Sequence, residues 1–213
     1  LGMQVIITDH HLTTNETPLA EAVVNPNQLG CEFPSKALAG VGVAFYVLAN
    51  LASLRNRQGK STSKVTQYLD LVALGTYADV AVLDYNNRIL VDAGVKRIQQ
   101  HQCRVGILAL LDIAGREATS IRAQDLGFVL GPRINAAGRM ESMRIGIECL
   151  LADTMETAYP IAQQLNQLNI DRRQIEGEMK QQALSALDSL QLSQQDIPAA
   201  LVLFEENWHQ GVI

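Results

Sequence analysis

Apolar positions change their spacing several times along the chain, and each change marks an element. Met3 to Thr8 is apolar on both faces apart from Gln4, the pattern of a buried parallel strand. Leu12 to Pro34 turns polar and contains Val23-Val24-Asn25-Pro26-Asn27, a short strand and then a turn. Ala37 to Leu54 carries apolar residues on nearly every side, which predicts a buried helix. Its glycines Gly40 and Gly42 lower helix propensity and predict close backbone packing. A polar link, Arg55 to Ser63, separates it from a second apolar helix over Val65 to Leu74, ending at Gly75. Asn87 to Gln99 keeps Val91, Val95 and Ile98 on one face, with Leu90 beside them, and Val105 to Ala114 predicts a further helix. Ser120 to Asp125 leads into Leu126-Gly127-Phe128-Val129-Leu130-Gly131-Pro132, read as a turn before Arg133.

The strongest periodicity lies between Tyr159 and Leu190. Ile161, Leu165, Leu168, Ile175, Met179, Leu184, Leu187 and Leu190 recur mostly at three- or four-residue steps, predicting one long amphipathic helix bent near Pro160. A strut packed on a domain suits it better than a dimerising coiled coil. Ala199 to Phe204 predicts a new strand after a turn at Pro198. No repeat or low-complexity tract interrupts the chain.

With 213 residues, 47% hydrophobic and 18% charged, the chain can fill a core and is not disordered by composition. Its length suits one large domain, or a domain and part of another. No apolar run is long enough to span a bilayer, and the first residues lack a signal-peptide pattern. Cys31, Cys103 and Cys149 are far apart, which argues against a zinc knuckle or redox pair and for a reducing cytosol. Cys31 reads as a small buried filler more readily than as a reactive thiol.

The net charge of -5 is unlike that of a nucleic-acid protein, but its distribution is uneven. Arg88 to Arg139 holds eight Lys and Arg against four Asp and Glu, whereas Met140 onward holds four against eleven. A local basic stretch can meet phosphates while the rest stays acidic. The chain opens at Leu1, almost directly in a strand, and closes at Gly211-Val212-Ile213, where an apolar run begins. Both ends read as internal to a longer protein.

Candidate chemistry begins at Asp9-His10-His11, at the end of the first strand. Read alone, the tripeptide is either part of a metal site or a polar loop. Ligands in α/β sheets gather beyond the carboxyl ends of strands, which favours the first. Asp79, in Gly75-Thr76-Tyr77-Ala78-Asp79, follows another apolar element and offers a second carboxylate. Imidazole with carboxylate suits Mn²⁺, and the absence of thiolates argues against structural zinc. A hydrolytic metal pair needs more ligands than these. The nearby spares are Asp70, within a helix pattern, and Asp84, better placed to cap the next turn. The missing ligands are therefore expected before Leu1. Arg133 and Arg139 are six residues apart around Asn135 and Gly138, and guanidinium forks suit phosphate oxygens. The Ala136-Ala137-Gly138 run would let a strand approach; alternatively, one arginine pairs with Asp125 or Glu141 and shapes a loop. His209 is a phosphate contact or a surface histidine beside Trp208, and His101 is a turn residue without a role.

The chain resembles the DHH phosphoesterase superfamily, and within it the branch of single-stranded-DNA exonucleases. The residues that carry the likeness are Asp9-His10-His11, Asn25-Pro26-Asn27, Phe33-Pro34-Ser35-Lys36, Leu38 to Tyr46 and Leu74 to Val80. Asn86-Asn87-Arg88, Gly131 to Arg139 and Trp208 to Val212 continue it in order to the end. The Arg133 to Arg139 motif separates this branch from other superfamily members better than the tripeptide does.

The resemblance implies an α/β fold: the C-terminal part of a parallel-sheet phosphoesterase domain over residues 1–86, then a helical region over 87–154 with the Arg133–Arg139 motif. A long connecting helix over 155–196 and the start of a second α/β domain over 197–213 complete it. It implies His10 and Asp79 as metal ligands, His11 beside the scissile phosphate, and Asp9 orienting the histidines. Two divalent cations, Mn²⁺ or Mg²⁺, are implied, with the earlier Asp-x-Asp element and a further aspartate outside this chain. The implied activity is 5′-to-3′ hydrolysis of single-stranded DNA to mononucleotides, in DNA repair and recombination. Arg133, Asn135, Arg139 and His209 are implied phosphate contacts. A single-strand-binding protein and a helicase are implied as partners, no membrane is, and the location is cytoplasmic. The chain alone is expected to be inactive. Two other readings stay open: another phosphoesterase of the superfamily, of nanoRNase or pyrophosphatase type, and a non-catalytic scaffold that binds DNA.

Overall fold

The computed structural model describes residues 2–14, 16–189 and 200–212. Two short strands, β1 (Ile6–Thr8) and β2 (Ala22–Val24), pair in parallel with Ile7 opposite Val23. Among the described residues eight helices follow: α1 (Gly40–Arg57), α2 (Leu69–Ala78), α3 (Tyr85–Gln99), α4 (Val105–Ile113), the single turn α5 (Ala123–Asp125), α6 (Gly131–Met140), α7 (Met143–Leu151) and α8 (Met155–Ser189). A 3₁₀ turn, Val65–Tyr68, leads into α2, and a π-helical stretch, Leu126–Leu130, runs directly into α6.

Two apolar cores hold these elements. The larger spans α2 to α8 and includes Ile98, Ile107, Leu110, Leu126, Leu130 and Leu165, all without solvent exposure. The smaller joins Leu38, Val43, Leu69, Val72 and Leu90, with Phe33 and Tyr46 packed against it. Close backbone contacts set the helix spacing. A Cβ at Gly94 would lie 2.2 Å from the Leu69 carbonyl oxygen, and one at Gly106 would lie 2.0 Å from that of Cys149. The α2–α3 and α4–α7 crossings therefore require glycine.

Several expectations change on contact with the fold. The second helix does not end at Gly75: it runs on to Ala78, and Gly75 makes room for Val41, whose Cγ1 would be 2.6 Å from an added Cβ. β1 is not buried: Ile6 is 67% exposed and Val5, just before it, 47%, because among the described residues its one partner strand covers a single edge. In α1 only Gly42 and Val43 are buried, while Leu48, Leu51 and Leu54 face solvent. Gly131-Pro132 starts a helix rather than a turn, since Pro at the first helical positions sacrifices no needed N–H. α7 was not anticipated, although Ser142 caps it by accepting from the Arg144 N–H. α8 forms as one long helix, but its buried stripe is Ala158, Ala162, Leu165 and Asn169. Of the expected apolar series only Leu165 is fully buried; Ile161, Leu168, Ile175, Met179 and Leu187 are half-buried, and Leu184 is exposed. Residues 200–204 take no regular structure, with Val202 and Phe204 exposed; no strand neighbours them among the described residues. Leu190, Pro198 and Ala199 lie outside the described residues. No described helix is long and apolar enough to cross a membrane.

Candidate metal centre and phosphate-contact face

The Asp9-His10-His11 loop leaves β1 and is pinned from below. The Asp9 carboxylate accepts from the backbone N–H of His10 at 2.8 Å and of His11 at 3.3 Å. It also meets the His11 ring nitrogen Nδ1 at 2.8 Å and the Asn25 amide at 3.3 Å. The His11 ring hydrogen bond, followed by the His10 backbone N–H, holds the Asp9 carboxyl below its ordinary value, so it stays ionised. Asn25 donates to the His11 carbonyl at 2.9 Å, and Asn27 donates to the His10 carbonyl at 2.7 Å. Lys36 clamps the intervening turn by donating to the carbonyls of Pro26 and Cys31, both at 2.6 Å. The two asparagines thus fix the backbone of the histidine loop, and Asp9 holds the His11 ring. Sequence alone makes Asn25-Pro26-Asn27 a turn; its two amides, separated by a proline, were the available signal of a scaffold for the histidines.

His10 Nδ1 lies 3.6 Å from Asp79 Oδ2. The two residues are 69 positions apart in sequence. Two donors held about 2.1 Å from one ion can be no more than about 4.2 Å apart, so this separation fits joint ligation. The other edge of the His10 ring faces Gly40, the first residue of α1, where an added Cβ would be 3.4 Å from Cδ2. The His11 ring is stacked obliquely beside it, centroids 4.3 Å apart.

Asp79 sits at the carboxyl end of α2. Its N–H bonds the Gly75 carbonyl, the Val80 N–H that of Tyr77, and the Ala81 N–H that of Thr76. This is a Schellman termination with valine, at φ +53°, in the left-handed position that favours glycine. A carboxylate at a helix C-terminus adds negative charge to the negative pole of the helix dipole. A cation bound there would offset this repulsion. Asp70 and Asp84 take no part. Asp70 is fully buried, accepting from the Leu71 and Arg104 N–H groups, and Asp84 caps α3 while accepting from Ser35 Oγ. Among the described residues, no three His, Cys, Asp or Glu converge. His10 and Asp79 are thus a two-donor arrangement.

The Arg133–Arg139 segment is helical. Ala136 and Ala137 are fully buried in the α6 interface and serve packing, while Gly138 stays exposed. Asn135 and Arg139, four residues apart, share the exposed face. Arg133 is half-buried: Nε donates to Asn166 Oδ1 and Nη1 to the Val129 carbonyl. Burial, then Arg173, lowers its guanidinium pKa. Among the described residues neither arginine pairs with Asp125 or Glu141. Arg139 donates to the Gly211 carbonyl at 3.0 Å, and His209 Nδ1 accepts from the Gly211 N–H. Arg139 and His209 are thus brought to one junction from distant parts of the chain. A Cβ at Gly211 would lie 2.3 Å from the Arg139 carbonyl oxygen, so glycine is what lets this segment dock. Burial pushes the thiols of Cys103 and Cys149 up to about 11, making them unreactive fillers.

Residues 1–76 match the DHH family, N-terminal domain. Over its whole length it is 48% identical to the single-stranded-DNA-specific exonuclease RecJ of Dickeya dadantii and 47% identical to that of Escherichia coli. It covers 38% of each, about two fifths of their length. The RecJ of Bacillus subtilis is 34% identical, with 25% of it covered. A crystal structure of exonuclease RecJ bound to manganese superposes on the whole chain with a TM-score of 0.81 and 34% identity, the chain covering 50% of it. RecJ from Thermus thermophilus in complex with Mn²⁺ matches 99% of the chain with the same TM-score and 33% identity, with 30% of it covered.

Proposed function

We propose that this chain supplies part of the active site of a 5′-to-3′ single-stranded-DNA exonuclease that hydrolyses phosphodiester bonds to mononucleotides in DNA repair and recombination. The observation that carries the reading is the approach of His10 Nδ1 to Asp79 Oδ2 at 3.6 Å, beside a family match over residues 1–76. His10 and Asp79 would hold divalent metal, Mn²⁺ or Mg²⁺, completed by ligands from sequence before Leu1. When bound, a pair of such cations supplies Lewis-acid activation of water and stabilises the leaving oxygen. Everything else falls to side chains. Asp9 holds the His11 ring through its 2.8 Å contact, and His11 would face the phosphate, where the imidazolium form can donate from its other nitrogen to developing negative charge. Arg139, with Asn135 and His209 nearby, contacts phosphates further along the strand, and Arg133, anchored on Asn166, shapes the same face.

The domain plan that goes with this reading is a phosphoesterase part over 1–86, a helical region over 87–154, a connecting helix over 155–196 and the start of a second domain over 197–213. A single-strand-binding protein and a helicase are its proposed partners, and the cytoplasm its proposed location. Assaying the full-length protein with Mn²⁺ on 5′-labelled single-stranded DNA and on short oligoribonucleotides tests the function. Mononucleotide release from the DNA, lost on chelation, is expected. Preference for the oligoribonucleotides would point to another phosphoesterase, and no turnover of either to a scaffold.

A further inference from the structure

No acidic residue occurs between Phe33 and Leu69, yet Arg55, Arg57, Lys60 and Lys64 cluster there. Arg55 and Arg57 occupy the last turn of α1. Gly59, at φ +71°, folds the chain back, so that the Lys60 N–H bonds the Arg55 carbonyl and Thr62 Oγ1 donates to Asn56 Oδ1. Lys64 then takes the N-cap position of the 3₁₀ turn before α2, with its side chain free of any capping bond. All four cations are exposed, and among the described residues none has an ion pair or a side-chain hydrogen bond. Arg57 and Lys64 flank an open groove of about 650 Å³ whose floor includes Phe45, Ala49 and Ala52. The helix dipole accounts for arginines in the last turn of α1. It does not account for Lys60 and Lys64, which the folded-back loop brings to the same place against their mutual repulsion.

We propose that this patch is a second phosphate-contact site for single-stranded nucleic acid, distinct from the Arg139 face. The inference rests on the exonuclease reading for its polyanion. Gly40 abuts His10, and the seventeen residues from there to Arg57 extend roughly 25 Å at about 1.5 Å each. The patch therefore lies several nucleotides from the scissile bond and adds affinity without touching the chemistry. A cationic rim fits the backbone, and an apolar floor fits unstacked bases.

The test uses the full-length protein and a single-stranded oligonucleotide of about 20 nucleotides, with binding measured across a salt series. Each phosphate contact to a single strand contributes about 0.7 to the slope of log affinity against log salt. The variant R55Q/R57Q/K60Q/K64Q should lower that slope by about 2 to 3 and leave the turnover number on a dinucleotide unchanged. The charge-conserving variant R55K/R57K/K60R/K64R should keep the wild-type slope, which separates charge from fold. A slope change below about 0.7 in the neutral variant overturns the proposal. So does an unchanged slope with lost binding to a poly-glutamate peptide, which would assign the patch to an acidic protein. Wild-type protein that binds no single strand overturns both this proposal and the exonuclease reading.

Discussion

The two halves of the molecule hold their functional residues by different means. Around α4, α6, α7 and α8 the chain is close-packed: Arg139 projects from the exposed side of α6, while Ala136 and Ala137 are fully buried and Arg133 is held half-buried against α8. Around β1 and β2 packing is thin, and the histidine loop is held by hydrogen bonds from Asn25, Asn27 and Lys36. In the first region, position follows from the core. In the second, it follows from a polar net plus one long-range approach, His10 to Asp79. A change in the helical region should therefore register first in stability, and a change in the loop region first in chemistry.

The sharpest break of that contrast is Asp79→Ala in the full-length protein. Cleavage should fall by roughly 10³-fold or more, the scale of several kcal/mol of lost charge stabilisation, while most single-strand binding remains. Retained turnover in a steady-state assay would remove Asp79 from the metal centre. Gly106→Ala tests the other side. Its new Cβ would sit 2.0 Å from the Cys149 carbonyl, so α4 must separate from α7, at a cost of about 3 kcal/mol in a denaturant titration. A loss under about 1 kcal/mol would mean that the helical core yields more readily than its packing implies.

Val80→Gly should act in the opposite direction. It relieves a β-branched residue at φ +53° and raises stability by about 1 kcal/mol, read as a higher melting temperature. An unchanged or lower melting temperature would mean that the Val80 side chain compensates for its backbone. Arg139→Ala should have the smallest effect. Fluorescence anisotropy should find weaker single-strand binding and a salt slope reduced by about 0.7. An unaltered slope would leave Arg139 with only its bond to the Gly211 carbonyl, a structural role.

Long periodic helices were legible because their apolar spacing is a local property: α3, α4 and α8 fall close to where their patterns put them. α6 was hidden because Gly131-Pro132 resembles a chain reversal, and a proline that opens a helix looks locally like one that ends it. Gly75 misled in the same way, since the reason for it is Val41 on another helix. The apolar pattern of β1 predicted burial, but burial depends on what packs above a strand, which its own sequence does not carry. At the candidate site, residue types were readable and their supports were not. His10 and Asp79 have chemistry that draws attention; Asn25 and Asn27 matter through carbonyls fourteen and seventeen residues away.

Anomalous diffraction from crystals of the full-length protein grown with Mn²⁺ tests the central claim most directly. The expected result is a manganese peak within roughly 2.2 Å of both His10 Nδ1 and Asp79 Oδ2. A metal held by other residues, with His10 and Asp79 paired only to each other, would contradict it.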